Sequence, residues 1–100
     1  MALDASDIDW NKHALIPVIV QDAATRMVLM LGYANAEALK QTVETGEVHF
    51  WSRSRNELWR KGATSGNTLT VESMHLDCDD DTILITATPH GPTCHLGEQS

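Results

Sequence analysis

Signals for a helix gather at only one place in this chain of 100 residues. Asn35 offers an N-cap, Glu37 sets an acid in the first turn, and Gly46 supplies a stop. Between them Ala38, Leu39, Thr42 and Val43 recur at helical spacing. On either side the pattern changes to short apolar runs, the first of them rich in β-branched residues, separated by polar turns. Residues 15–20 and 27–33 form one such pair around the polar connection 21–26. Pro17 lacks an amide donor and belongs at the strand start or on an edge. Residues 48–52 and 57–61 flank a turn at 53–56, and residues 68–76 and 82–88 flank a turn at 77–81. Six or seven strands and one helix predict an α+β chain that is mainly β. The expected form is a mixed sheet making a partial barrel, with one packed helix, in a single domain over residues 1–100.

A hydrophobic fraction of 42% suits a folded domain, and a net charge of −7 excludes a general nucleic-acid or membrane-surface binder. No apolar run approaches transmembrane length. Asp4, Asp7 and Asp9 break up a start that has no basic residue, so residues 1–10 do not read as a signal peptide. The expected location is the cytoplasm, where free thiols survive as ligands.

The scarce positive charge is concentrated. Of seven Lys and Arg residues, four fall in one stretch: Arg53, Arg55, Arg60 and Lys61. Trp51, Ser52 and Trp59 are interleaved with them, and Thr64, Ser65, Gly66 and Asn67 follow with hydroxyl, backbone and amide donors. Guanidinium groups hold phosphate bidentately, so the stretch is a candidate site for a small anion. The competing reading is a solvated strand pair over two core tryptophans. The spacing is not that of a P-loop.

Both cysteines stand among other metal-binding residues. Cys78 lies within Asp77-Cys78-Asp79-Asp80-Asp81, and Cys94 precedes His95. Each is either a metal ligand or a small buried hydrophobe, and the acidic neighbours of Cys78 make a poor core setting. Soft thiolates select zinc-like metals, whereas hard carboxylates select magnesium-like ones. Two thiolates do not complete a catalytic zinc site. A third ligand is left to His95, another histidine, a residue of a partner subunit, or one that is missing. Asp77, Asp79 and Asp81 alternate, and in an extended turn all three would point to one side, suiting Mg²⁺ or Ca²⁺. A solvated acidic turn is the alternative. His13, His49, His75 and His90 read as structural or surface residues. His95 follows a candidate ligand and is the candidate proton carrier.

Taken in order, Trp10, residues 15–20, 28–33, 50–55, 58–62, 64–67, 77–81 and 91–95 resemble the phosphoribosyl-AMP cyclohydrolase family of histidine biosynthesis. The resemblance runs from about Trp10 to the end. It implies a homodimeric hydrolase that opens the purine ring of phosphoribosyl-AMP at the N1–C6 bond, using zinc and magnesium. It further implies Cys78 and Cys94 as zinc ligands, shared across the dimer, and Asp77, Asp79 and Asp81 as magnesium ligands. A zinc-activated water would attack the ring, with His95 as the catalytic proton carrier. The substrate would be gripped by Trp51, Ser52, Arg53, Arg55, Arg60, Lys61, Thr64, Ser65 and Asn67. The family's third zinc cysteine would follow Ser100, so the expectation is a C-terminal end cut short, with or without a further pyrophosphohydrolase domain. Two rivals stand beside this reading: a purine deaminase, whose Cys-x-x-Cys and His-x-Glu spacings are absent, and a metal- or nucleotide-binding module without turnover.

Overall fold

The computed structural model describes residues 8–62, 66, 68–78 and 81–91. Its elements, in chain order, are β1 (Ile16–Asp22), β2 (Val28–Ala34), α1 (Ala36–Thr45), β3 (His49–Ser52), β4 (Glu57–Arg60), β5 (Leu69–Leu76) and β6 (Ile83–Pro89). Every expected strand and the helix are present, with ends shifted by one or two residues.

In β1 the alternate residues Ile16, Val18, Val20 and Asp22 are buried, the pattern of a strand with one face on a core. Asp22 belongs to the turn that follows. Its Oδ1 accepts the amides of Ala24 at 2.8 Å and Thr25 at 3.3 Å, closing the link to β2. Pro17 is the second residue of β1, one position ahead of the point where pairing to β6 begins at Val18, and so sits at the strand's start as expected. The four-stranded sheet has the order β2-β1-β6-β5. β1 runs antiparallel to β2 and parallel to β6, and β5 runs antiparallel to β6. The sheet is therefore mixed, as expected.

Asn35 caps α1 by accepting the Ala38 amide at 2.9 Å, and Gly46 ends it in the left-handed region at φ 75°. The helix buries Ala38, Leu39 and Thr42 and packs mainly against β3. Thr42 makes the joint specific. Its hydroxyl donates to the Ala38 carbonyl and accepts the His49 amide, each at 2.9 Å, which ties the helix to the first residue of β3.

Among the described residues β3 and β4 pair only with each other, as a two-stranded ribbon. Just before it, Val48 donates to the Leu69 carbonyl at 3.0 Å and Gly46 accepts from Val71 at 2.8 Å. These bonds fasten the ribbon's base to β5. At its far side Phe50, 1% exposed, lies against β2. The expected partial barrel is thus replaced by an open sheet with a separate ribbon across it. Among the described residues β2 and β5 are the sheet's edges, and ribbon and β2 meet without a ladder.

The register fixes what lies at each end of the sheet. Gly32 pairs with Val18, Val18 with Ile83, and Ile83 with Leu76. Beyond that row, on one and the same end, come Tyr33 of β2 and the turn between β5 and β6. With strands about 4.8 Å apart, that turn stands roughly 10–15 Å across the sheet from Tyr33.

Candidate active site

An open groove of about 790 Å³ lies between the end of β2 and the β3–β4 ribbon. Met30, Leu31, Gly32 and Tyr33 form the β2 side. Phe50, Trp51, Ser52 and Trp59 come from the ribbon strands, and Arg53, Ser54 and Arg55 from its turn. Gly32 makes the junction possible. A Cβ there would stand 2.5 and 2.6 Å from two ring carbons of Phe50, so the ring can lie on the strand only because that side chain is absent. Phe50 in turn pairs across the ribbon with Trp59, ring centroids 5.4 Å apart. The result is an aromatic floor with basic residues at one end.

The turn that carries those residues is encoded locally. Ser52 Oγ accepts the Arg55 amide at 3.3 Å, and Asn56 takes a left-handed conformation at φ 53°, which Asn tolerates better than most side chains. Arg53 then lies over the ring of Tyr33, its guanidinium carbon 4.6 Å from the centroid. Lys61 approaches the Trp59 ring at 5.8 Å. The other two arginines face acids. Arg60 Nη1 is 3.1 Å from Glu47 Oε1, and Arg55 Nη1 is 3.7 Å from Glu57 Oε1.

The predicted anion-binding residues therefore divide. Trp51, Ser52, Arg53 and Arg55 line the groove. Arg60 pairs with Glu47 through the register that sets it opposite His49, and Lys61 lies beside Trp59. Thr64, Ser65 and Asn67 lie outside the described residues. Tyr33, Gly32 and Phe50 were not among the expected site residues. Only the packing of β2 against the ribbon reveals them, and the one local hint was a glycine inside an apolar strand.

Of the acidic turn the described residues are Asp77, Cys78 and Asp81. The Asp77 amide donates to the Thr82 carbonyl at 3.0 Å, and Asp77 Oδ1 accepts the amides of Asp81 at 3.0 Å and Thr82 at 3.3 Å. Asp77 closes the turn upon itself, and Asp81 Oδ1 accepts the Thr82 hydroxyl at 3.3 Å. Cys78 is an exposed free thiol at this turn, so it is no core residue. An exposed thiol flanked by carboxylates fits, in donor chemistry, one soft and one hard metal. Among the described residues no three His, Cys, Asp or Glu side chains converge on one point. Asp79, Cys94 and His95 lie outside the described residues.

Of the remaining histidines, His49 is buried with Nδ1 2.9 Å from the Glu47 carbonyl, and His90 Nε2 is 2.7 Å from Thr70 Oγ1. Both have the structural character expected of them. No helix among the described residues is long and apolar enough to cross a membrane.

A family model described as phosphoribosyl-AMP cyclohydrolase matches residues 30–100. The chain belongs to the phosphoribosyl-AMP cyclohydrolase family. A protein of Lacticaseibacillus casei named phosphoribosyl-AMP cyclohydrolase is 55% identical over 94 residues, covering 93% of this chain and 86% of that protein. Two others are named histidine biosynthesis bifunctional protein HisIE. That of Xanthomonas campestris is 61% identical over 99% of this chain and 48% of its own length. That of Staphylococcus aureus strain Mu50 is 57% identical over 93% of this chain and 44% of its own. The chain spans about half the length of these bifunctional relatives and most of the cyclohydrolase from Lacticaseibacillus. Both halves of the groove, β2 from Met30 onward and the ribbon, fall inside the matched residues, as does the acidic turn.

Proposed function

We propose that this chain hydrolyses the N1–C6 bond of the purine ring in phosphoribosyl-AMP, within histidine biosynthesis. One observation carries the reading beyond family membership: an aromatic groove with basic residues at its rim stands at the same end of the sheet as the Cys78 turn. The substrate has a flat purine in its middle and a phosphate at each end. A groove floored by Phe50 and Trp59 suits the ring, and Arg53 and Arg55 suit one phosphate. The acidic turn lies roughly 10–15 Å away, a distance suited to the reacting ring edge or the far phosphate.

In this reading Cys78 and Cys94 hold zinc, and Asp77, Asp79 and Asp81 hold magnesium. When bound, zinc supplies a water acidified toward neutral pH, and magnesium supplies neutralisation of phosphate charge. The chain's own residues do the rest. Phe50 and Trp59 shield one ring face from solvent, and Arg53 and Arg55 fix the nucleotide's register. His95 takes a proton from the attacking water and delivers it to N1. The water oxygen joins C6, the N1–C6 bond breaks, and C6 becomes the carboxamide carbon of the opened ring. The turn bonds made by Asp77 Oδ1 fix the orientation of that carboxylate before any cation arrives.

A homodimer fits the edge strand β2, whose Val28 and Leu31 are each 53% exposed, with Met27 at 46% beside them. Turnover of phosphoribosyl-AMP with zinc and magnesium present, measured for the parent chain and for Cys78→Ala and Cys94→Ala, tests the proposal. Loss of bound zinc together with loss of ring opening in both variants is expected. Full zinc content and full turnover in both would remove the metal role. Nucleotide binding with no change of the purine would instead favour a binding module.

A further inference from the structure

We infer that Tyr33 is a positioning residue that holds Arg53 in place as the groove's phosphate anchor. The inference rests on the nucleotide reading of the groove and adds to it the device that orients the charge. Three arginines stand in or beside the ribbon, and their surroundings differ. Arg60 is 3.1 Å from Glu47 and Arg55 is 3.7 Å from Glu57. Arg53 has no acidic partner among the described residues, and lies instead with its guanidinium carbon 4.6 Å from the centre of the Tyr33 ring.

That difference matters for binding an anion. A guanidinium already paired with a carboxylate must give up or share that partner to take a phosphate. One stacked on an aromatic face keeps its planar edge of N–H donors available, because the ring engages the face of the guanidinium and leaves the edge to the ligand. Arg is also a flexible side chain that loses rotamer freedom when it binds. Stacking on Tyr33 meets part of that loss in advance. The backbone supports the arrangement from both sides. Tyr33 is held in the ladder opposite Pro17, and Arg53 is the first residue of a turn fixed by the Ser52 hydroxyl and by Asn56. The observed partner of the Tyr33 ring is the Arg53 guanidinium, so the role inferred for it runs through Arg53.

The test compares AMP, which carries the phosphate, with adenosine, which does not, by titration calorimetry on the full chain. Tyr33→Leu, with folding checked by its thermal midpoint, is expected to weaken AMP about two- to fivefold while leaving adenosine unchanged. Tyr33→Phe retains the aromatic face and is expected to restore AMP binding to within about twofold. In an Arg53→Ala background, Tyr33→Leu is expected to have no further effect on AMP, as residues acting through one contact should show. Equal weakening of AMP and adenosine by Tyr33→Leu would overturn the inference and make Tyr33 a base platform or a structural residue. So would an undiminished AMP affinity. A parent chain that bound neither ligand would overturn the nucleotide groove and this inference with it. Loss of turnover alone, with the AMP pattern intact, would count against the proposed reaction and leave the Tyr33 assignment supported.

Discussion

Replacing Gly32 by Ala probes the contact on which the groove is built. The backbone at Gly32 is of a kind that alanine adopts, so the effect isolates packing. The new Cβ would stand 2.5 and 2.6 Å from two Phe50 ring carbons and 3.0 Å from a third. Carbon atoms rest about 3.5–4.0 Å apart, so ring and strand must separate by roughly 1 Å. Phe50 is 1% exposed and packed on Trp59, with little room to retreat. Overpacking of this kind costs about 1–3 kcal/mol, against a gain of about 0.4–1 kcal/mol from a stiffer unfolded chain. The net expectation is a loss of about 1–2 kcal/mol, or a thermal midpoint lower by about 5–15 °C for a domain of this size. Urea unfolding at fixed protein concentration measures it, in a cycle with Phe50→Leu. Once the ring is gone, Gly32→Ala should cost about 0 kcal/mol, giving a coupling of about 1–2 kcal/mol. A Gly32→Ala protein as stable as its parent, or a cycle additive within about 0.5 kcal/mol, would refute the close packing of β2 on the ribbon.

Other consequences are as direct. Thr42→Val keeps the shape of the helix–β3 joint but strands the buried His49 amide, and should cost about 1–3 kcal/mol in the same unfolding assay. Asp77→Asn retains an oxygen to accept the Asp81 and Thr82 amides, so stability should stay within about 0.5 kcal/mol. Half-saturation by magnesium, followed through turnover, should nonetheless rise, and an unchanged magnesium dependence would confine Asp77 to the turn. Arg53→Ala should weaken AMP by about tenfold or more, whereas Arg60→Ala, which loses a partly exposed pair with Glu47, should change it less than about threefold. Val28→Lys on the exposed edge of β2 should shift a dimer toward monomer in sedimentation equilibrium.

Local signals carried the element list. Asn35 and Gly46 mark the ends of α1 because caps satisfy backbone groups within a few residues, and β-branched runs mark β1 and β6 through equally local preferences. The strand order was not legible, because β6 pairs with β1 from more than sixty positions away, and no short window records that choice. The site divided along the same line. Trp51, Ser52, Arg53 and Arg55 could be picked out as one basic and aromatic stretch, and they do line one groove. The pairing of Arg60 with Glu47 depends on ribbon register, and Tyr33 joins the groove only because Phe50 settles on Gly32. The acidic turn showed its composition in sequence. Its closure by Asp77 Oδ1 depends on backbone geometry that alternation of residues does not specify.

Turnover of phosphoribosyl-AMP in isotopically labelled water tests the central claim most directly. Ring opening at N1–C6 predicts one labelled oxygen in the product's carboxamide, a mass gain of one water, and no ammonia. Release of ammonia with a closed purine ring carrying a 6-oxo group, or recovery of the nucleotide bound but unchanged, would contradict it.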